Sequence, residues 1–208
     1  MKRLVFALFV ESILLKETII DMIVAGIDYS LSCPAMCVYD SSKGKFNFKN
    51  SYFYFRSNLA RFELFKEGNI CGENHKPYHC DMDRYDDISD WALTILDDKG
   101  EGVKKVFLEG YSYGSTGRVF HIAENTAILK YNLWDAKIPV EIVPPTTIKK
   151  FATGKGNANK EKMHEFFVAE NPSVNLRSSL TPRSSNVISP VSDIVDAYFI
   201  TKYGLSMC

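Results

Sequence analysis

The sequence has no excess charge of either sign. Over 208 residues, 25 Lys and Arg stand against 25 Asp and Glu, for a formal net charge of zero. The whole molecule therefore carries no electrostatic signature of nucleic-acid or membrane binding, and any such surface must be local. No apolar run is long enough to cross a bilayer. The opening MKRLVFALFVESILLKETIIDM imitates a secretory signal, but Glu11 interrupts it and no small-residue cleavage site follows. Cysteines are few and irregular. Cys33, Cys37, Cys71, Cys80 and Cys208 make an odd-numbered set and a poor disulfide framework, which points to a reducing compartment. The chain is expected in the cytoplasm, not secreted. There is no internal repeat. There is also no Walker-type phosphate loop, because GKGNANK lacks the Gly-Lys-Ser/Thr ending.

What is present is ordinary globular material, 46% hydrophobic and 24% charged, enough for one domain with a proper core. Residues 1–21 are set apart as an N-terminal extension. They read either as an added amphipathic helix or as sequence upstream of a natural start at Met22. The second is favoured because Met22 directly precedes the first core strand. Residues 22–208 are expected to form a single domain.

The apolar run IVAGIDY at 23–29 reads as a buried central strand. Strands at 35–39 and 46–55 complete an antiparallel meander. Residues 56–82 show little periodicity and read as a long loop. Helical spacing covers 88–96 and 118–136, with strands at 104–109 and 139–143. A single helical turn is expected at 146–151 and a helix at 161–169. The Ser-, Asn- and Pro-rich stretch 171–190 reads as a linker or mobile loop. The last helix spans 191–203, with Ser189 as its N-cap and Pro190 in the first helical position. The order describes an α/β domain. Its mixed five-stranded sheet has three antiparallel strands, then two parallel ones, flanked by helices.

Four acids stand out by position. Asp28 ends the first strand and Glu109 the fourth, and the carboxyl ends of strands are where α/β sheets form sites. Asp193 and Asp196, three residues apart at the start of the last helix, share a helix face. Taken singly, Asp28 also suits a turn cap, Glu109 a solvated strand end, and Asp193 a helix-dipole acid. Asp196, amid Ile194, Val195, Ala197 and Tyr198, is an unusual place for a merely solvated charge. Carboxylates that converge need cations to neutralise them. Hard divalent ions suit oxygen ligands, and a pair of them supports phosphodiester hydrolysis.

Lys149, Lys150, Lys155, Lys160 and Lys162 form a local basic patch around a Gly-x-Gly loop, opposed by Glu161. Lysines there neutralise phosphates without reading sequence. Arg177 and Arg183 are additional candidates. Tyr111 and Tyr113 are candidate base-stacking aromatics and equally suit turn positions that cover the core edge. Cys71, His75, His79 and Cys80 are all possible zinc ligands. Their spacing is not that of a standard finger, and the group is set aside as incidental.

These motifs carry a resemblance. GIDYS with Asp28, FLEGYSYG with Glu109, SDIVDA with Asp193 and Asp196, and IKKFATGKGNANKEKM with Lys149 and Lys160 resemble the signature segments of RuvC-type Holliday junction resolvases. The GKGNA loop and long middle insertion are similar to members carried by bacteriophages and large DNA viruses. If the protein is viral, its location is the host-cell cytoplasm. The resemblance implies a ribonuclease H-like fold and a structure-selective endonuclease cutting four-way or other branched DNA. It also implies two Mg²⁺ or Mn²⁺ ions on Asp28, Glu109, Asp193 and Asp196, with catalytic support from Lys149 and Lys160. DNA contacts are expected from Lys149, Lys150, Lys155, Lys160, Tyr111 and Tyr113. A homodimer is implied, through helix 118–136, where Phe120, Ile122, Ala123, Ile128, Leu129 and Leu133 are available to a partner or to the sheet. No membrane and no small-molecule cofactor are expected. Two alternatives stay open: a non-catalytic DNA-binding module on the same fold, and a nuclease acting on flaps or RNA–DNA hybrids. An actin- or sugar-kinase-type ATPase shares the opening motif but needs two such domains and far more chain.

Overall fold

A computed structural model describes residues 22–98, 102–111 and 119–208. The N-terminal extension and Tyr113 lie outside these. Strands β1 (Ile23–Asp28), β2 (Ala35–Asp40) and β3 (Ser51–Ser57) form the antiparallel meander. Strands β6 (Val103–Glu109) and β7 (Val140–Val143) add in parallel beside β1. The five expected strands thus take the expected directions.

The sheet nevertheless has seven strands, in the order β4-β5-β3-β2-β1-β6-β7. The segment 56–82 is not a loop. It holds a hairpin of β4 (Phe65–Glu67) and β5 (Ile70–Asn74), with β5 running parallel to β3. Its turn is Gly68-Asn69, a two-residue hairpin signal, with Gly68 at φ +58°. The Phe55 ring sits where a Cβ on Gly72 would fall, 2.4 Å away, so the glycine makes room for an aromatic in the neighbouring strand.

The helices are α1 (Asp81–Asp97), α2 (Val119–Asp135), α3 (Pro145–Thr153), α4 (Lys160–Glu170), α5 (Leu176–Leu180) and α6 (Val191–Met207). The expected single turn at 146–151 is a nine-residue helix, opened by Pro145 and closed by a left-handed Gly154 at φ +78°. Residues 171–190 are not a mobile linker. Leu176, Leu180 and Val187 are buried in the core, and Arg61 and Glu161 bind backbone within the segment. The last helix starts at Val191 as expected and runs on to Met207, past the expected end at 203. Pro190 is its cap, with no side-chain capping bond from Ser189.

Strand alternation sorts the core into two layers. Val24, Cys37, Phe53 and Phe107 pack with α6 on one face. Ala25, Ile27, Met36, Val38 and Leu108 pack with residues of α1 and α2 on the other. Covered on both faces, β1 reads as a continuous apolar run.

Candidate active site

Glycine sets the position of α6. A Cβ on Gly26 would fall 2.4 Å from the backbone nitrogen and Oγ1 of Thr201 and 2.9 Å from the Ala197 carbonyl. One on Gly204 would fall 2.2 Å from the Phe107 ring. The helix therefore lies directly on β1 and β6, and Thr201 Oγ1 fastens it by donating to the Cys37 carbonyl at 3.1 Å. Asp193 and Asp196 precede Ala197 by one turn or less, which brings them to the carboxyl ends of those strands. Asp28 and Glu109 wait there. Ile27 pairs with Leu108, and both acids alternate onto the α6 face with Val24 and Phe107.

Asp28 and Asp193 are buried, while Glu109 and Asp196 are half-buried. Burial raises the Asp28 carboxyl well above the usual range, and Glu109, Asp193 and Asp196 push the same way against Lys160. Burial lifts Glu109 to about 7, with Lys149 and Lys160 pulling down and Asp193 pushing up. Asp196 reaches about 8 through burial, Glu109 and Asp193, opposed by Lys160 and Lys149. Each of these three acids thus feels the charge of at least one other, with Lys160 opposing in all three and Lys149 in Glu109 and Asp196. Lys160 is steadied by donating from Nζ to Ser192 Oγ at 3.1 Å.

Among the described residues, no group of three or more His, Cys, Asp or Glu side chains is gathered closely enough to hold a metal ion as it stands. The acids share a site without closing into a cage, as like charges do at short range. The donor chemistry nevertheless suits a hard divalent cation. Among the described residues, Asp193 Oδ2 is buried with no hydrogen-bond partner, a carboxyl oxygen of the kind that a cation satisfies.

The other predicted residues divide. Lys150 and Lys155 are exposed, away from the acids' balance. Lys162 pairs with Glu165 at 2.5 Å. Arg177 is spent on the Ser184 and Ser185 carbonyls, whereas Arg183 is exposed. Tyr111 is half-buried and lines a cavity of about 310 Å³ together with Asp28, Glu109, Arg84 and Ile122. On α2, Leu129 and Leu133 are buried against the sheet. Phe120 is exposed as expected, Ile122, Ala123 and Ile128 are half-buried, and Val119, Tyr131 and Trp134 are exposed as well. Cys71 lies in β5, and His75 Nε2 contacts the Ser32 carbonyl at 3.1 Å.

Sequence reasoning passed over three residues at the site: Ser192, Cys33 and Arg84. Ser192 had a signal, since it adjoins Asp193. The Cys33 thiol is raised by burial first and by Asp193 next, so it stays neutral beside the acids. Arg84 had no signal in its local sequence.

No protein-family model matches the chain, and no curated protein matches it by sequence. Solved structures do match. The chain is similar to Thermus thermophilus RuvC at 17% identity and a TM-score of 0.54, covering 89% of this chain and 96% of that one. It is also similar to T. thermophilus RuvC in complex with a Holliday junction substrate, at 15% identity and a TM-score of 0.55, with the same coverage. The fold is RuvC-like, of the ribonuclease H type. At these identities the likeness establishes architecture, and chemistry has to be argued from the side chains. In this RuvC-like frame, the hairpin β4-β5 extends the sheet beyond β3, on the edge away from β6 and β7.

Proposed function

We propose that the chain is a metal-dependent, structure-selective DNA endonuclease that hydrolyses phosphodiester bonds at four-way or other branched junctions. The observation that carries this is the carboxylate site. Acids from β1, β6 and α6 lie close enough for their charges to interact, and Asp28, Glu109 and Asp196 are raised by burial and by neighbouring acids against the pull of Lys160 and, for Glu109 and Asp196, Lys149. A structural role for such repulsion is hard to find, since stability alone favours removing it.

Asp28, Glu109, Asp193 and Asp196 would hold two Mg²⁺ or Mn²⁺ ions, which when bound supply an activated water and stabilise the leaving oxygen. The chain's own groups do the rest. Lys149 and Lys160 balance the acids and stand ready for charge developing on the phosphate. Partial burial of the site lowers the local dielectric and strengthens each of these interactions. The exposed Lys150 and Lys155 neutralise phosphates along the strand. The branched substrate is supported by the similar RuvC solved with a Holliday junction. Phe120, Tyr131 and Trp134 on α2 offer an apolar face to a second copy, so that two sites nick opposing strands. The GKGNA loop favours a member of the phage or viral type, acting in the cytoplasm of the cell or host.

The test incubates the protein with labelled four-way junction, fork and linear duplex, with and without Mg²⁺. Nicking of the junction that needs Mg²⁺ and disappears in Asp28→Asn is expected. Equal cutting of linear duplex rejects junction selectivity. No cutting of any substrate, with Asp28→Asn unchanged from wild type, ends the enzyme reading and leaves a DNA-binding module.

A further inference from the structure

Two arginines, Arg56 buried and Arg84 half-buried, are satisfied very differently. Arg56, at 3% exposure, donates from Nε to Glu73 at 2.8 Å and from Nη1 to Asp87 at 2.6 Å. Both partners are carboxylates, so its charge is answered within the fold. Arg84, in the first turn of α1, donates from Nη2 to the Leu31 carbonyl at 2.7 Å, and its guanidinium lies 5.2 Å from the centroid of the Tyr78 ring. Neither partner carries a formal negative charge. Among the described residues Arg84 makes no ion pair. Its Nε is buried with no acceptor among the described residues. A buried donor left unmade costs far more than an average hydrogen bond returns.

Arg84 lines the cavity of about 310 Å³ whose wall includes Asp28, Glu109 and Tyr111. That volume is at the small end of ligand pockets. The pinned guanidinium therefore sits in the same cavity as two of the acids, with Nε and further N–H donors unspent. An arginine fork matches the spacing of two oxygens on one phosphorus, and two contacts that carry no charge fix its plane in advance. A free carboxylate ligand of similar size would gain nothing from the acidic wall, whereas a DNA strand has separate phosphates to offer to the acids and to Arg84.

We propose that Arg84, in the cavity it shares with Tyr111, Asp28 and Glu109, is a phosphate subsite that grips the DNA strand one linkage away from the bond to be cut. This rests on the nuclease reading and names a strand contact within that site. Arg84 is a binding residue here, with no part in the bond-breaking step.

The experiment measures binding of a four-way junction carrying one uncharged methylphosphonate, moved position by position along the cut strand. The protein carries Asp196→Asn to keep the junction intact, with Arg84 present or replaced by Gln. With Arg84 present, one position beside the cleavage point should weaken binding about tenfold. Arg84→Gln should weaken binding of the unmodified junction by about the same factor and lower the slope of log affinity against log salt by about one. It should also abolish the sensitivity at that position alone. Arg84→Lys, which keeps charge without the fork, should retain the salt slope with a smaller loss of affinity. It carries the test if the Gln variant melts early. A methylphosphonate profile that is the same with and without Arg84 overturns the subsite. A wild-type protein that cuts the junction while showing that unchanged profile sinks this inference alone. Failure to cut any DNA sinks the nuclease reading instead.

Discussion

The two faces of the central sheet are built on different terms. On one, α6 is buried along most of its length and lies so close to β1 and β6 that only glycine fits at positions 26 and 204. Nothing in that contact is adjustable, and the two helical acids are carried on it. On the other face, α1 and α2 meet the sheet through a mixed layer. Ser89 accepts from Asn132, Tyr85 contacts His121, and Asn125 is fully buried with neither amide atom partnered among the described residues. That side also presents Phe120, Tyr131 and Trp134 to solvent. The tightly packed face carries the charged groups despite their repulsion, and the looser face leaves aromatic side chains exposed.

The sharpest way to break this contrast is Gly26→Val. Its side chain would meet the helix backbone at Thr201 and Ala197 as well as the Thr201 hydroxyl, so α6 must move. A loss on the order of 3 kcal/mol or more is expected, read as a large drop in melting temperature together with lost cleavage. A near-normal melt would show that the face is not rigid.

Next in size are the acids. Asp193→Asn and Asp196→Asn should lower cleavage by on the order of 10²–10³-fold while leaving junction binding largely intact. Without divalent ions, each should also melt higher than wild type, because one source of repulsion is gone. Melting curves and cleavage rates on the same preparations check both halves.

The pH dependence follows from the raised carboxyls. Glu109 at about 7 and Asp196 at about 8 are held above the ordinary carboxylate value of roughly 4. Their contribution to stability is full below that value and is lost as pH rises through 7 to 8. Metal-free protein should therefore melt lower at pH 8.5 than at pH 5. Mg²⁺ should recover more at the higher pH, since ions and protons compete for the same oxygens. A metal-free melting point that rises over this interval contradicts the site's electrostatics.

The smallest effects belong to the looser face. Asn125→Leu removes two unpartnered polar atoms and should change stability by less than about 1 kcal/mol or raise it. Trp134→Glu should alter monomer stability by under roughly 0.5 kcal/mol while shifting any dimer toward monomer in sedimentation.

Much of the architecture was legible because its signals are local. β1 is buried on both sides and reads as an unbroken apolar run. The acids end strands or open a helix, and a helix places Asp193 and Asp196 on one side by spacing alone. The misses have equally physical causes. β4 and β5 are too short for alternation to register, and charged residues flank the Gly68-Asn69 turn between them. Residues 171–190 look like a linker by composition, yet three apolar anchors, Leu176, Leu180 and Val187, suffice to fix them. On α2 the apolar residues are plentiful all round, so periodicity did not separate the buried Leu129 and Leu133 from the exposed Tyr131 and Trp134.

By itself the sequence determined the strand and helix types around the site, the strand directions, and which side chains carry charge at their ends. Each of these depends on residues near one another in the chain. Tertiary structure alone decided that α6 lies against Gly26, that Lys149 and Lys160 share the acids' field while Lys150 and Lys155 do not, and that Arg84 is left without an anion. Those outcomes depend on distances between segments scores of residues apart, and Coulomb and steric energies at such contacts exist only once the chain has closed on itself.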